Sequence, residues 1–233
     1  MKAMILAAGR GERMRPLTDH TPKPLLPAGG RPLIVYHLEK LAQAGYREVV
    51  VNLAHLAEKI PARLGDGRRW GLRIHYLREP PGALDTGGGI RNALPWLGER
   101  FLVINGDVWT DRPLTPPTLG SADLAHLVLV DNPPHHPEGD FALVHGRVLD
   151  SGGQRLTFAG IGWYRAALFH GLPRGRYPLA PVLRRAIRRG RVAGERHRGH
   201  WTDVGTPERL HLLDQELGAR RPPTVGVTDA GDA

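Results

Sequence analysis

Residues 7–18, with the sequence AAGRGERMRPLT, combine glycine and arginine, two residue types that hold phosphate. Gly9 and Gly11 allow a tight turn whose backbone N–H groups can point at an anion, and Arg13 can add a guanidinium contact to phosphate oxygens. A dinucleotide-binding loop would have a third glycine where Met14 stands, and the Gly-Lys-Ser/Thr sequence of a P-loop is absent. The loop therefore indicates either an anion site or a structural turn.

A single lysine, Lys23, lies between Pro22 and Pro24. Because proline fixes its own φ and disfavours a helical conformation at the residue before it, the spacing predicts a stiff, extended segment that presents one ammonium group. The chain has lysines only at positions 2, 23, 40 and 59, which makes this one a candidate phosphate ligand. The alternative is an ordinary exposed lysine in a loop.

Two aspartates stand where apolar runs end. Asp107 follows FLVING, and Asp203 lies in GHWTDVGT, nearly a hundred residues later. A carboxylate at the carboxyl end of a strand is well placed to hold a hard cation. Either aspartate alone is more typical of a turn or a helix cap. The two together, with the basic glycine loop and the lysine, indicate Mg²⁺ and a nucleoside triphosphate.

The elements that position these residues alternate along the first half of the chain. Apolar runs predict buried strands at residues 3–8, 48–53, 72–77, 101–105 and 124–130. Helical patterns lie between them: one opens at Arg31–Leu33 and stops at Gly45, one covers 55–64, and one covers 86–94 and ends at Pro95. Strands alternating with helices predict an α/β fold with a mostly parallel sheet, in which ligands bind beyond the carboxyl ends of the strands.

The second half is less regular. It predicts a loop at 131–140, a hairpin at 141–149, a strand at 157–164, a helix at 180–189 and a last helix capped by Thr206. We expect residues 1–218 to form one domain and residues 219–233 to be a disordered tail. Adjacent His135 and His136 are expected to be exposed loop residues, and His197 and His200 to be structural.

Composition narrows the class of protein. The chain has 233 residues and a formal net charge of +9 that comes mainly from arginine. The charge indicates either exposed arginines or attraction for polyanionic ligands, and no nucleic-acid-binding motif accompanies it. With no cysteine and no apolar run long enough to span a membrane, we expect a cytoplasmic protein that binds neither nucleic acid nor membrane.

Four motifs together resemble one enzyme family. They are G-x-G-x-R-(M/L)-x-P-L-T, T-P-K-P-L-(L/V)-P, the Asn-Gly-Asp strand end and W-x-D-V-G-T, spread over residues 1–217. This set resembles the sugar-1-phosphate nucleotidyltransferases. The stretches EPPGALDTGGGIRNAL, NGDVWTD, AHLVLVDNP and RGHWTDVGT are most similar to the branch that joins UTP and N-acetylmuramate 1-phosphate in bacterial cell-wall recycling.

The resemblance implies a three-layer, doubly wound α/β fold with a mostly parallel mixed sheet, of the Rossmann-like nucleotidyltransferase type. It implies Mg²⁺ as cofactor, bound by Asp107 and Asp203, and small-molecule substrates only. Catalytic roles would fall to Arg13, Lys23, Asp107 and Asp203. The nucleotide would be bound by Gly9, Gly11, Glu12, Arg13, Lys23 and Gly88. Of the two substrate-binding residues, Asn105 would contact the ribose or the sugar phosphate, and Asp140 would reach the acceptor sugar.

Other functions remain open from the sequence alone. Within the same family, a guanylyltransferase for mannose 1-phosphate or a cytidylyltransferase for phosphocholine would share these motifs. A dinucleotide-dependent oxidoreductase would need the missing third glycine, and a nucleotide sensor without activity would be expected to lack one of the two aspartates. A monomer or a small homo-oligomer is expected.

Overall fold

The computed structural model describes residues 1–80 and 82–220 of the chain. In these residues the strands are β1 (Lys2–Leu6), β2 (Pro27–Ala28), β3 (Arg31–Pro32), β4 (Glu48–Leu53), β5 (Arg73–Arg78), β6 (Arg100–Asn105), β7 (Val108–Thr110), β8 (Ala125–Val130), β9 (Phe141–Val144), β10 (Arg147–Leu149), β11 (Arg155–Arg165), β12 (Val192–Arg196) and β13 (Trp201–Asp203).

The helices are α1 (Leu17–His20), α2 (Leu33–Gln43), α3 (Lys59–Leu64), α4 (Asp85–Leu97), α5 (Leu179–Ile187) and α6 (Pro207–Ala219). Short 3₁₀ turns occur at Glu12–Met14, Lys23–Leu25, Arg68–Trp70 and Ala166–Phe169. Within the described ranges, no helix combines the length and the apolar composition that crossing a membrane requires. The predicted tail starts at the end of α6, and its residues 221–233 lie outside the described residues.

A nine-stranded mixed sheet forms the centre of the described structure, in the order β5-β4-β1-β6-β11-β8-β12-β10-β9. The first four strands are parallel, β11 runs antiparallel to β6 and β8, and β8 and β12 are parallel. The parallel half contains the predicted βαβ crossovers, and the antiparallel pairs lie in the irregular second half of the chain. The predicted α/β fold with a mixed sheet is confirmed.

Helices cover both faces of this sheet, which gives three layers. Alternate residues of each strand face opposite sides, so Ala3 and Ile5 of β1 pack under α2 and α3, while Met4 packs under α4. Helices α4 and α5 cover the second face. Strands buried on both faces explain why the sequence showed continuous apolar runs.

A short ribbon stands apart from the large sheet and brings two distant segments together. Strand β13 pairs antiparallel with β7, with Asp203 opposite Val108 and Trp201 opposite Thr110. Two apolar clusters fill the two faces of the large sheet, and a third packs α6 against this ribbon and against α2. The third apolar cluster consists of Met14, Leu26, Ala28, Leu33, Tyr36, Trp109, Val204, Leu210, Leu213 and Leu217. Thr206 caps α6 as predicted, since its side chain accepts a hydrogen bond from the N–H of Arg209.

The structure corrects three local predictions, all at prolines. Helix α4 continues through Pro95 to Leu97, and Leu97 is buried in the core, so packing offsets the lost backbone hydrogen bond. Helix α3 begins only at Lys59, which places Pro61 in the first turn where a missing N–H costs little. Lys23 is not extended, because it begins a 3₁₀ turn in which the N–H of Leu26 bonds to its carbonyl.

Candidate active site

Three connected cavities lie along the carboxyl edge of β1, β4, β5 and β6. The first, of about 1160 Å³, lies between residues 8–14 on one side and residues 78–80, 82, 83 and 85 on the other. The second, of about 240 Å³, shares Gly9 and Glu79 with the first and adds Lys23. The third, of about 320 Å³, shares Asn105 and Asp107 with the second and reaches β13. Ligands of open parallel sheets bind at this edge.

The glycine loop forms a wall of the first two cavities. A Cβ added at Gly9 would meet no atom of the described residues within 4 Å, so this backbone faces open space. Gly11 has a φ of +67° and its carbonyl accepts a hydrogen bond from Thr18 Oγ1 at 2.8 Å. Met14, in the position of the missing third glycine, is fully buried in the apolar cluster under α6. The buried side chain of Met14 therefore anchors this loop. In a dinucleotide-binding loop, the third glycine at this position instead lets the helix pack closely on the strand.

A buried carboxylate links three strand ends beside the loop, and the sequence analysis did not identify it. Glu79 is 5% exposed; its Oε1 accepts a hydrogen bond from Asn52 Nδ2 at 2.7 Å, and its Oε2 accepts one from the N–H of Leu84. Asn52 Oδ1 in turn accepts from the N–H of Ala7 at 2.8 Å. These hydrogen bonds connect the loop after β1 to the loop after β5, and both loops line the cavities. The only sign of this network in the sequence is the polar Asn52 within the apolar run VVVNL.

The first cavity is lined by more cations than anions. Arg10, Arg13, Arg78 and Arg176 line it, and Glu12 is among the acidic residues there. Arg13 also lines the third cavity and forms no ion pair with any described residue. Arg176 lies in the segment before α5, which the sequence did not connect with the site. The arginines give this cavity the charge that a polyphosphate requires.

Lys23 and Asp107 meet where the second and third cavities join. Lys23 Nζ lies 2.5 Å from Asp107 Oδ2, and the lysine side chain is only 11% exposed. Beneath them, His37 of α2 is buried, and this burial lowers the pKa of His37 to about 4 despite the nearby Asp107 charge. The imidazole is therefore neutral at pH 7, and Lys23 is the cation that compensates Asp107.

Asp203 reaches the same cavity through the β7–β13 ribbon. The N–H of Val204 donates to the carbonyl of Asp107 at 2.7 Å, and both aspartates line the third cavity. Both carboxylate oxygens of Asp203 lie 2.6 Å from Arg209 Nη1, and Oδ1 lies 2.8 Å from His135 Nε2. The structure thus brings the two predicted metal ligands to one cavity, each held by a cationic partner.

The donor set of this cavity suits Mg²⁺. No group of three or more His, Asp or Glu side chains arranged to hold a metal occurs in the described part of the chain. A cation here would have Asp107 and Asp203 as protein ligands and would complete its shell with water or phosphate oxygens. Mg²⁺ is commonly bound in this way, by one or two carboxylates with substrate phosphates.

Asn105 and Asp140, the predicted acceptor residues, occupy different positions. Asn105 lines the second and third cavities, and a Cβ at Gly160 would lie 2.6 Å from Asn105 Nδ2, so glycine is needed at this bulge of β11. Asp140 Oδ2 accepts from the N–H of Phe158 at 2.8 Å, and its Oδ1 lies 3.3 Å from His136 Nε2. Asp140 therefore contacts the third cavity indirectly, through Phe158 and His136, which line it.

Gly88, the predicted contact to the nucleotide, is not among the described residues that line the three cavities. It lies in the first turn of α4, where its N–H donates to the carbonyl of Tyr177 at 3.1 Å. A Cβ at Gly88 would lie 2.1 Å from the carbonyl oxygen of Gly175. Its position gives it a packing role between α4 and the segment that carries Arg176.

The histidines divide into two groups. His135 and His136, expected to be ordinary exposed residues, line the third cavity together with Trp201, and each contacts an aspartate. The sequence could not show this because the fold of the loop brings them there. His197 and His200 pair with acidic side chains and line none of the cavities described above.

A second charged cluster lies under β12, away from these cavities. Arg112 forms an ion pair with Glu195 and lies over the ring of Trp163, and His126 Nε2 lies 3.7 Å from Glu195 Oε2. His126 and Arg112 together hold the pKa of Glu195 at about 2, against the opposing effect of burial. This cluster joins β8 to β12 and has a structural role.

Comparison with known proteins agrees with the site. The nucleotidyl transferase family model matches residues 2–148. The N-acetylmuramate alpha-1-phosphate uridylyltransferase of Neisseria meningitidis serogroup B is 54% identical, over 94% of this chain and 99% of that protein. The protein of the same name from Caulobacter vibrioides is 33% identical, over 88% of this chain and 92% of that protein.

A solved structure shows the same fold. The inositol-1-phosphate CTP transferase from T. maritima superimposes with a TM-score of 0.72 at 18% identity, over 95% of this chain and 97% of that one. The glycine loop, the lysine turn and the two aspartates thus occur in a chain whose sequence and fold both match one group of enzymes. The resemblance predicted from the motifs is confirmed: the chain belongs to the nucleotidyl transferase family and is a nucleotidyltransferase.

Proposed function

We propose that the enzyme joins UTP and N-acetylmuramate 1-phosphate to give UDP-N-acetylmuramate and pyrophosphate. The observation that carries this proposal is the 54% identity to an enzyme of that name over nearly the full length of both chains. The relative named mannose-1-phosphate guanylyltransferase from Mycobacterium tuberculosis matches only 54% of this chain and 32% of its own. The proposal thus favours UTP over GTP. It also places the reaction in peptidoglycan recycling.

The reaction is a displacement at phosphorus. An oxygen of the acceptor phosphate attacks the α-phosphorus of UTP, the bond from that phosphorus to the bridging oxygen of the β-phosphate breaks, and pyrophosphate leaves. The second ionisation of a phosphate monoester falls near pH 6, so the nucleophile is already charged at neutral pH and needs no protein base. Nucleophile and electrophile are both anionic, so catalysis consists of positioning and charge compensation.

The order of the three cavities along the sheet edge is the basis for assigning a position to each substrate. We assign the nucleotide to the first cavity, where Gly9, Gly11 and Glu12 form the loop and Arg13 faces the phosphates. The α-phosphate would lie near Lys23, at the junction with the third cavity. The acceptor would occupy the third cavity, against Asn105. Support comes from the lining residues that neighbouring cavities share, because two substrates in adjoining cavities would lie end to end.

Lys23 and the two aspartates would meet at the reacting phosphates. Mg²⁺ held by Asp107 and Asp203 would supply positive charge to the phosphate oxygens when bound. Lys23 would donate from its ammonium group to a phosphate oxygen, and its low exposure would keep the screening of that charge weak. Asp140 would orient the acceptor side of the cavity through His136.

The test is a panel of substrates with release of pyrophosphate as the readout. UTP, CTP, GTP and dTTP are each combined with N-acetylmuramate 1-phosphate, N-acetylglucosamine 1-phosphate, mannose 1-phosphate and phosphocholine. We expect the highest kcat/KM with UTP and N-acetylmuramate 1-phosphate, loss of activity with EDTA and recovery with Mg²⁺. A preference for GTP with mannose 1-phosphate, or for CTP with phosphocholine, would replace the proposal with the corresponding activity.

Three coarser expectations accompany this function. Residues 1–218 would form the catalytic domain, the protein would act in the cytoplasm, and it would be a monomer or a small homo-oligomer. Size-exclusion chromatography with light scattering measures the last of these directly. A large assembly would contradict it.

A further inference from the structure

A charged cluster at the far side of the third cavity contains one cation that the reaction above does not use. Arg209 lies in the first turn of α6, and its Nη1 is 2.6 Å from both carboxylate oxygens of Asp203 and 2.5 Å from His135 Nε2. Asp203 and His135 line the third cavity, and the guanidinium group lies directly behind them, in contact with both side chains. The cluster of Asp203, Arg209 and His135 therefore belongs to the acceptor end of the site.

The local fold holds this guanidinium group in a fixed place. A Cβ at Gly205 would lie 2.1 Å from Arg209 Nη2, so the residue before the helix cap has to be glycine while Arg209 occupies this position. The Arg209 side chain is only 16% exposed. An arginine that is this enclosed, with a glycine opposite it, belongs to the layer of side chains behind the cavity and is not one of the chain's many surface arginines.

The charges of the site show why this arginine needs a second partner. In the structure, Lys23 compensates Asp107 and Arg209 compensates Asp203. A divalent cation bound by the two aspartates would take over part of that compensation and would weaken the hold of each carboxylate on its basic side chain. Lys23 and Arg13 then face the phosphates of the nucleotide. Arg209 would then be an enclosed charge with only part of its compensation left, which favours a further anion beside it.

We propose that Arg209, with His135 beside it, binds a carboxylate carried by the acceptor sugar and selects sugar 1-phosphates that have one. A planar guanidinium group forms two parallel hydrogen bonds to a carboxylate, which no hydroxyl or acetamido group can match. This inference rests on the proposed function, in which the acceptor differs from N-acetylglucosamine 1-phosphate by its lactyl carboxylate. It names the side chains that recognise that difference.

The experiment compares two acceptors in the wild-type enzyme, Arg209→Gln and Arg209→Lys. With UTP and Mg²⁺ at saturation, kcat and KM are measured for N-acetylmuramate 1-phosphate and for N-acetylglucosamine 1-phosphate. We expect Arg209→Gln to lower the ratio of the two kcat/KM values by roughly 10- to 100-fold, mainly through the KM of the carboxylate-bearing acceptor. Arg209→Lys should recover part of the ratio, since it keeps the charge but not the fork. Arg184→Gln, which removes a surface ion pair with Asp150, is the matched control.

A binding measurement separates recognition from catalysis. Isothermal titration of each acceptor into enzyme with Mg²⁺ and an α,β-methylene analogue of UTP should show the same selective loss for Arg209→Gln. An equal loss for both acceptors, or a change confined to the KM of UTP, would overturn the inference and assign Arg209 to Asp203 or to the nucleotide. If the wild-type enzyme releases no pyrophosphate from UTP and N-acetylmuramate 1-phosphate, the proposed function itself fails.

Discussion

Met14 stands where a dinucleotide-binding loop would have its third glycine, and replacing it tests how the glycine loop is held. The side chain is fully buried among the residues under α6. Truncation of a buried methionine to alanine costs about 2–5 kcal/mol, since the cavity left behind adds to the lost transfer free energy. In a chain of this size 1 kcal/mol corresponds to about 2–4 °C in Tm, so Met14→Ala should lower Tm by roughly 4–20 °C.

The same change should weaken nucleotide binding. Met14 ends the 3₁₀ turn Glu12–Met14, and its N–H donates to the carbonyl of Gly11 at 2.9 Å. Without the anchored side chain, the loop opens at little cost and must be ordered again when UTP binds. A penalty of about 1.4 kcal/mol corresponds to a tenfold rise in KM for UTP, and we expect at least that.

The chain offers a matched control in Met4. This methionine of β1 is also fully buried, but it packs under α4 on the other face of the sheet. Urea unfolding and KM for UTP are measured for Met14→Ala, Met4→Ala and Met14→Leu at about 20 °C, after circular dichroism has checked that each variant is folded. Met4→Ala should lose a similar free energy of unfolding, while its KM for UTP stays within about threefold of wild type. Met14→Leu should keep both the wild-type stability and the wild-type KM for UTP. An equal change in KM for the two alanine variants would refute the anchoring role of Met14.

Three further predictions follow from the site and its surroundings. Lys23→Met should lower kcat by roughly a hundredfold or more, as for loss of one preorganised charge-stabilising group, and turnover within a few-fold of wild type would remove Lys23 from catalysis. Because the pKa of Glu195 is held at about 2 in the folded state, its contribution to stability is present above its ordinary pKa of 4.5 and is lost as pH falls from 4.5 towards 2. Because this side chain is 39% exposed, the expected loss is discounted to about 1–2 kcal/mol. Between pH 6 and pH 3, the free energy of unfolding of the wild type, measured in urea, should therefore fall by that amount more than that of Glu195→Gln. Gly88→Ala should lower Tm and soluble yield because its Cβ would meet the carbonyl oxygen of Gly175, and an unchanged melting curve would show that the two segments separate easily.

Much of the parallel half of the fold could be predicted from the sequence because each of its elements carries a local signal. The apolar run at residues 48–53 became β4 with the same bounds, and the helix before Gly45 became α2. The short strands β7 and β13 carried no such signal, since three residues are too few to show a period. They form because the third apolar cluster holds their neighbours together, which is a property of the whole chain.

The residues of the site also differ in whether the local sequence could identify them. Asp107 and Asp203 were recognisable because each lies in a motif at a strand end, and Lys23 because it lies between two prolines in a chain with few lysines. Glu79 and Arg209 were not, because their roles depend on which side chains the fold places beside them. Arg209 follows Asp203 by only six residues, yet nothing in the sequence shows that a glycine makes room for its guanidinium group.

The β7–β13 ribbon also has a consequence for how the enzyme becomes active. Asp107 and Asp203 are separated by 96 positions in the sequence, and they meet only after β13 has paired with β7. During synthesis, the nucleotide loop, the lysine turn and the first aspartate leave the ribosome long before the second aspartate does. A nascent chain can therefore form the parallel half of its sheet while it still lacks the second carboxylate, and under the proposed mechanism nucleotidyl transfer waits for almost the last segment of the fold.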